Sequence, residues 1–155
     1  MENSFMRKAI ELAVENVHSG RGGPFAAVIV RDGRVLATGT NVVTSACDPT
    51  AHAEVVAIRA ACAALGSFQL DGCDLYTTCE PCPMCFGAIY WARPRRVFFG
   101  GSASDAAAAG FDDAFIYQQL SLPHSARRIP FLPLMHDEAL ACFQAWAAKQ
   151  DRVNY

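Results

Sequence analysis

Residues 75–99 read LYTTCEPCPMCFGAIYWARPRRVFF and contain two predicted strands separated by a predicted helix. Leu75 to Thr78 is predicted to be a strand, and a helix is expected to begin near Pro81 to Pro83 and to continue to about Trp91. Arg93-Pro94 interrupts that helix, and Arg96 to Phe99 is predicted to form the next strand. Strands connected by a helix are typical of the α/β class.

The sequence before this unit predicts a helix, a hairpin and a second helix. Ser4 is expected to cap the first helix, which ends at Ser19-Gly20. Pro24 to Val30 and Val35 to Thr38 are predicted strands joined by the turn Arg31-Asp32-Gly33-Arg34. Asp48-Pro49-Thr50 is expected to begin a helix that ends at Gly66. The residues of the first helix expected on its inward face are Phe5, Ala9, Leu12, Ala13 and Val17.

Beyond Gly110 the pattern predicts a helix over Ala114 to Leu120, a short strand over Phe131 to Met135 and a final helix over Asp137 to Lys149. The inward residues of the final helix are expected to be Leu140, Phe143 and Trp146. Together, the predicted elements indicate one domain, residues 1–155. Its expected fold is a three-layer α/β/α sandwich with a mixed central sheet.

Composition restricts the classes of partner. Among 155 residues, 52% are hydrophobic and 18% are charged, so we expect leftover apolar surface to form a subunit interface. The net charge of −2 disfavours nucleic acid, which usually requires a basic face. Arginines cluster at 93–96 and at 127–128, and we interpret both clusters as ordinary surface. No apolar run approaches the ~20 residues of a membrane span.

Two features indicate a cytoplasmic protein. Met1-Glu2-Asn3-Ser4 lacks the basic start and apolar core of a secretory signal. Seven cysteines without such a signal indicate reduced thiols and metal binding rather than disulfides.

One histidine and a Cys-x-x-Cys pair predict a zinc site. His52, Cys82 and Cys85 supply three ligands, and a catalytic zinc site keeps its fourth position for water, whereas a structural site is closed by four ligands. Cys82 and Cys85 are expected in the first turn of their helix, where thiolates are favoured. His52 is expected in the first turn of its own helix, with the metal beyond the helix end. Cys79 remains an alternative fourth ligand that would close the site.

Glu54 lies two residues after His52 and is the candidate proton carrier. Zinc lowers the pKa of its water toward neutrality and so supplies a hydroxide nucleophile. A carboxylate can accept the water proton, pass it to a ring nitrogen and later protonate a departing amine. A structural zinc ribbon or a redox pair would also use Cys-x-x-Cys. The sequence has no second Cys-x-x-Cys for a ribbon, and a redox pair does not require His-x-Glu.

The arrangement H-x-E…P-C-x-x-C resembles the signature of zinc nucleobase deaminases. Most of the chain looks like the bacterial guanine deaminases, which have the cytidine deaminase fold. The stretches that carry this resemblance are Gly22 to Phe25, Asp48 to Glu54, Cys79 to Cys85, Ala88 to Pro94, Ala109 to Asp113, Phe143 to Trp146, and Tyr155.

The resemblance implies one Zn²⁺ per subunit on His52, Cys82 and Cys85, with Glu54 as the proton shuttle. It implies further substrate-binding residues around a purine, namely Asn41, Phe25, Ala53, Trp91, Asp113 and Tyr155. It also implies a homodimer in which the C-terminal segment crosses over, so that Tyr155 serves the partner's site. By themselves, Asn41 could stabilise a turn and Asp113 could cap a helix, while Phe25 and Trp91 could be core residues.

The function implied is hydrolytic deamination of guanine to xanthine and ammonia, by hydroxide attack on the amino-bearing ring carbon. Guanosine, ammeline and cytosine remain alternative small substrates. A tRNA adenosine deaminase would need a positive surface and an open site for a flipped base. A non-catalytic zinc-stabilised binding module is the alternative from a different class, and the intact Glu54 argues against it.

Overall fold

In this computed structural model, which describes residues 2–111 and 113–155, the chain forms two compact units, Met1–Asp113 and Ala114–Tyr155. Each unit is described separately. Asp112, part of the Gly-Phe-Asp-Asp run, lies outside the described residues. Within the described ranges, no helix combines the length and the hydropathy that a membrane span requires.

The first unit contains a mixed sheet of four strands in the order β2-β1-β3-β4. The strands are β1 (Ala26–Arg31), β2 (Arg34–Thr40), β3 (Cys73–Cys79) and β4 (Arg96–Gly101). Strand β1 pairs antiparallel with β2 and with β3, whereas β3 pairs parallel with β4. The predicted hairpin and the strand–helix–strand unit are therefore confirmed.

Five helices accompany this sheet: α1 (Glu2–His18), α2 (Val43–Ala46), α3 (Ala53–Leu65), α4 (Pro83–Ala92) and α5 (Ala103–Ala108). The short helices α2 and α5 were not predicted. Ser4 does not cap α1, since the helix already includes Glu2, whose carboxylate favours a first turn. Arg93 ends α4 in the left-handed conformation, at the predicted position.

The helices cover both faces of the sheet. Along β1, Val28 points to the α1 face and packs near Ala9, while Ile29 points to the opposite face, beside Ala57 of α3 and Ile89 of α4. Both faces of β1 are buried, as expected for a central strand between helices. The predicted three-layer α/β/α sandwich with a mixed central sheet is therefore confirmed.

The inward face of α1 differs from the prediction at one position. Ala9 and Ala13 are buried, and Phe5 and Leu12 pack against the core. Val17 is 46% exposed, so its predicted inward position is wrong. The buried stripe continues instead through Asn16, one position before Val17, because residues in a helix are offset by about 100°.

Helix α3 begins later than predicted. Asp48 Oδ1 accepts hydrogen bonds from the Thr50 backbone N–H at 2.8 Å and from its hydroxyl at 2.7 Å, which hold these residues in a turn. The helix runs from Ala53 to Leu65 and is capped by Gly66, whose φ of 61° suits glycine. A Cβ on Gly39 would lie 2.3 Å from the Ala53 carbonyl oxygen. Only glycine therefore allows α3 to begin this close to β2.

The second unit contains α6 (Ala114–Ser121), a 3₁₀ turn at His124–Ala126 and α7 (His136–Ala148). Both predicted helices are confirmed. The predicted strand over Phe131 to Met135 is wrong: these residues have no strand, since Pro133 lacks an N–H donor. The predicted inward positions in α7 are also wrong for this chain, because Leu140, Phe143 and Trp146 are exposed.

Candidate active site

Two helix starts meet at the predicted metal site. His52 is the N-cap residue of α3, and Cys82 is the N-cap residue of α4; both have extended backbones. The prediction that they lie within the first helical turns is therefore wrong by one position for each residue. This difference supports the predicted site. In a regular helix the side chains of His52 and Glu54 would point to nearly opposite sides, and the extended backbone at His52 removes that restriction.

The distances among the three predicted ligands suit a zinc ion. His52 Nδ1 lies 3.5 Å from Cys82 Sγ and 3.6 Å from Cys85 Sγ. All three ligand atoms lie within 4.8 Å of one another. Ordinary Zn–S and Zn–N bonds at a tetrahedral angle place nitrogen and sulfur about 3.6 Å apart. The side chains are thus arranged for tetrahedral zinc, with His52 Nδ1 as the nitrogen ligand.

Electrostatics at the helix start favour a thiolate. The pKa of Cys82 is lowered to about 4, chiefly by its hydrogen bond with the Cys85 thiol and secondly by its hydrogen bond with His52. The same pairing raises the pKa of Cys85, because its proton is shared with the Cys82 sulfur. The hydrogen bond to Cys82 also raises the pKa of His52. A divalent cation would replace these shared protons as the charge partner of both sulfurs.

Cys79 does not join this cluster. Among the described residues, the ligand group contains His52, Cys82 and Cys85. The Cys79 thiol instead donates to the Ser102 carbonyl oxygen at 3.7 Å, and burial raises its pKa. The alternative in which Cys79 closes the site is therefore wrong. Three protein ligands leave the fourth position that a catalytic zinc requires.

Glu54 is buried beside the ligand cluster, with its two oxygens in different environments. Its Oε1 accepts a hydrogen bond from the Thr77 hydroxyl at 3.3 Å, and its Oε2 lies 3.4 Å from Cys85 Sγ. Burial raises the pKa of Glu54. A zinc-bound Cys85 is a thiolate with no proton to donate, which leaves Oε2 available for proton transfer.

The ligand cluster opens onto a cavity of about 340 Å³, within the usual range for small-molecule pockets. Three carboxylates border it: Glu54, Glu80 and Asp113. Phe25 and Phe111 form an aromatic wall, with ring centroids 4.9 Å apart in an edge-to-face arrangement. The other lining residues are Asn41, His52, Cys79, Cys82, Ala103, Ala106 and Gly110.

The substrate residues implied by the resemblance are divided among different places. Phe25, Asn41 and Asp113 line the cavity. Ala53 is fully buried as the first residue of α3, whose early N–H groups have no intrahelical acceptor. Trp91, near the end of α4, is 62% exposed, and Tyr155 belongs to the second unit. The roles of all six residues remain predictions.

Sequence reasoning missed Thr77, Glu80 and Phe111. The Thr77 hydroxyl fixes one oxygen of Glu54, and the Glu80 carboxylate accepts a hydrogen bond from the Ala103 N–H at 3.0 Å, which secures the start of α5. The position of Glu80 between Cys79 and Cys82 could have marked it as a residue near the metal. The contact of Thr77 with Glu54 spans 23 residues and has no local signal.

Comparisons with known proteins agree with this geometry. The family model for the cytidine and deoxycytidylate deaminase zinc-binding region matches residues 1–101, which include the three zinc ligands. The guanine deaminase of Bacillus subtilis (strain 168) is 55% identical over 152 residues, covering 98% of this chain and 97% of that protein. The tRNA-specific adenosine deaminase of Aquifex aeolicus (strain VF5) is 37% identical over 124 residues, covering 79% and 80%.

Solved structures give the same result. The X-ray structure of guanine deaminase from Bacillus subtilis matches with a TM-score of 0.98 at 54% identity, covering 100% of this chain and 99% of that one. A mutant protein in complex with 8-azaguanine matches with a TM-score of 0.68 at 36% identity, covering 70% and 63%. His52, Cys82 and Cys85 therefore form a zinc site, and the chain belongs to the guanine deaminases of the zinc-binding cytidine and deoxycytidylate deaminase family.

Proposed function

We propose that this protein catalyses the hydrolytic deamination of guanine, in which guanine and water give xanthine and ammonia. The observation that carries the proposal is a cavity in which Glu54 stands beside the zinc ligands, bordered by an amide, two further carboxylates and two phenylalanines. Carboxylates accept hydrogen bonds from ring N–H and amino groups, and aromatic rings pack on a flat heterocycle. Guanine supplies both features.

Glu54 moves the protons of this reaction. Zinc, when bound, lowers the pKa of a coordinated water toward neutrality. The Thr77 hydroxyl holds Oε1 of Glu54, so Oε2 is the oxygen that accepts a proton from the attacking water. Glu54 then delivers that proton to the ring nitrogen, takes up the remaining proton of the newly added hydroxyl as the carbonyl forms, and transfers it to the departing amine, which leaves as ammonia. Burial raises its pKa, which favours a group that must act as base and then as acid.

Asn41 and Asp113 recognise the purine, with Phe25 against its face. The Oδ1 atom of Asn41 accepts a hydrogen bond from the Val43 N–H at 3.3 Å, which orients the amide. Its Nδ2 and the second lone pair of Oδ1 would bind a carbonyl and an adjacent ring nitrogen. Asp113, which also lines the cavity, would accept a hydrogen bond from the exocyclic amino group. The Ala53 N–H adds a donor at the start of α3.

The protein acts as a homodimer in which segment 114–155 is exchanged, within one functional domain per chain. Two observations support this proposal. None of the described helices in segment 114–155 has a buried residue. Phe86, Tyr90 and Trp91 are exposed along α4, beyond what an isolated surface normally carries. Tyr155 and Trp91 complete the purine site in this assembly.

A tRNA substrate is disfavoured by the arginines themselves. Arg95 and Arg96 both donate to Asp74, with Nη2 to Oδ2 distances of 2.7 Å each, so this cluster is committed within the fold. Arg127 and Arg128 lie over the rings of Phe131 and Phe115. The cavity border is rich in carboxylates, which repel phosphates.

The cytoplasm is the proposed compartment, since all seven cysteines are free thiols.

An ammonia-release assay tests the substrate. Zinc-loaded protein is given guanine, guanosine, ammeline, cytosine or an adenosine-containing tRNA anticodon stem, each at the same concentration. We expect the highest kcat/KM for guanine, with formation of xanthine. A higher kcat/KM for guanosine or ammeline would show that guanine is not the preferred substrate. Salt-sensitive turnover of the tRNA would show that the enzyme acts on nucleic acid rather than on a small molecule. A zinc-loaded dimer without any turnover would indicate a binding module.

A further inference from the structure

Asn16 is a buried polar residue outside the cavity. It lies in the last turn of α1 and is fully buried, next to a helix face that is otherwise apolar. Its Nδ2 donates to two backbone carbonyl oxygens, that of Gly23 at 2.9 Å and that of Asn41 at 2.8 Å. One side chain thus connects two loops that are 18 residues apart in sequence.

The orientation of this amide follows from its partners. Both partners are carbonyl oxygens, so the NH₂ group must face them. The oxygen Oδ1 of Asn16 is then buried without a hydrogen-bond partner among the described residues. Such an orphaned acceptor destabilises the folded state. An apolar residue of the same size would avoid that cost, so the two donated hydrogen bonds are the contribution that is specific to asparagine.

These bonds hold residues of the cavity. The Gly23 carbonyl also accepts from the Phe25 N–H at 2.9 Å, and the Asn41 N–H donates to the Phe25 carbonyl at 3.0 Å. The backbones at Gly22 and Asn41 lie so close together that a Cβ on Gly22 would be 2.0 Å from the Asn41 carbonyl oxygen. Phe25 and Asn41 therefore belong to one hydrogen-bonded unit, and Asn16 ties that unit to α1.

We propose that Asn16 is a positioning residue for substrate: it sets where the Asn41 amide and the Phe25 ring stand in the cavity. The inference rests on the proposed function, since it takes Asn41 and Phe25 as purine-binding residues. Asn16 does not reach the cavity lining itself, and so it acts through these two residues. A displacement of about 1 Å in such a group can cost about 100-fold in rate.

The first test compares Asn16→Leu with Ala9→Gly. Leucine has the same number and branching of side-chain heavy atoms as asparagine but donates nothing to Gly23 or Asn41. Ala9→Gly destabilises the same helix at another buried position, away from the two loops. We expect Asn16→Leu to raise KM for guanine about tenfold, with a smaller fall in kcat and unchanged zinc content. Ala9→Gly should lower Tm and leave both constants near wild type. If Asn16→Leu fails to fold, Asn16→Ser serves in its place.

The second test is a double-mutant cycle with Asn41→Ala. If Asn16 acts largely through Asn41, the loss from Asn16→Leu should fall below about threefold once the Asn41 amide is absent. Fully additive losses, or an Asn16→Leu variant that behaves like Ala9→Gly, would overturn the positioning role. A wild-type protein without guanine turnover would overturn the proposed function itself, and so the two failures are distinguishable.

Discussion

The two compact units of this chain differ in what they bury. In Met1–Asp113, both faces of the sheet are covered, and Val28, Ile29 and Leu75 are fully buried. In Ala114–Tyr155, no described residue of the helices is buried, and Leu134 and Phe143 are 84% and 70% exposed. Helical stability in proteins comes mainly from packing of an apolar face. The second unit has such faces without a core of its own.

This difference suggests separate roles for the two units, catalysis for the first and subunit association for the second. The zinc ligands, Glu54 and the cavity all lie in the first unit. We propose above that the exposed apolar surface of the second unit is covered by a partner subunit. We therefore expect changes in the first unit to remove catalysis with the assembly intact. Changes in the second unit should act through the partner subunit.

The largest effect is expected from Glu54→Gln in the first unit. The amide keeps the shape of the carboxylate but cannot accept the water proton, so kcat should fall about 10³-fold. Zinc content and dimer mass should not change. Steady-state ammonia release, metal analysis and light scattering measure the three quantities. Glu11→Gln, an exposed change on α1, is the matched control. Near-normal turnover by Glu54→Gln would contradict the proton-shuttle role.

Deletion of Tyr155 is expected to lower kcat/KM by about 10²-fold, because the purine site loses one of its proposed members. A mixed dimer of this deletion with Glu54→Gln then distinguishes the two arrangements of the tail. With exchange, one site carries both defects and the other neither, so each mixed dimer should recover about half of the wild-type activity. Purified, differently tagged heterodimers provide the measurement. No recovery would mean that each tail serves its own subunit.

Phe143→Glu tests whether the apolar face of α7 is covered in the assembly. Burial of an unpaired carboxylate opposes association, so the dissociation constant of the dimer should rise about tenfold or more. Sedimentation equilibrium measures it. The neighbouring change Gln144→Glu adds the same charge and serves as the control. An unchanged dissociation constant for Phe143→Glu would mean that this face lies outside the interface.

The smallest effect is expected from Asp74→Asn, which addresses only the first unit. Hydrogen bonds from Arg95 and Arg96 hold the pKa of Asp74 far below its ordinary value. A depressed pKa contributes stability that is present above the unfolded value and lost as pH falls through the folded one. The substitution should cost about 1–2 kcal/mol at pH 7. The difference from wild type should shrink below about pH 4. Chemical denaturation at several pH values measures it; a difference that is constant with pH would contradict this account.

Much of the first unit could be predicted because its signals are local. The strand–helix–strand unit of residues 75–99 follows from strand-forming residues, prolines and the break at Arg93-Pro94. The start of α3 could not be predicted in the same way, because the side chain of Asp48 competes for the Thr50 N–H. The predicted strand over Phe131 to Met135 failed for a different reason. This apolar run contains Pro133, which has no N–H to donate to a neighbouring strand.

The sequence by itself predicted the zinc ligands and Glu54 beside them, because their arrangement resembles the H-x-E…P-C-x-x-C signature of zinc nucleobase deaminases. It also predicted the sandwich, because the period of the apolar residues reports which faces are covered. Tertiary structure alone decided that Cys79 turns away toward Ser102, that Thr77 fixes one oxygen of Glu54 and that Asn16 holds Asn41. These contacts join residues 23 to 25 positions apart, and no local pattern encodes a hydrogen bond between distant elements.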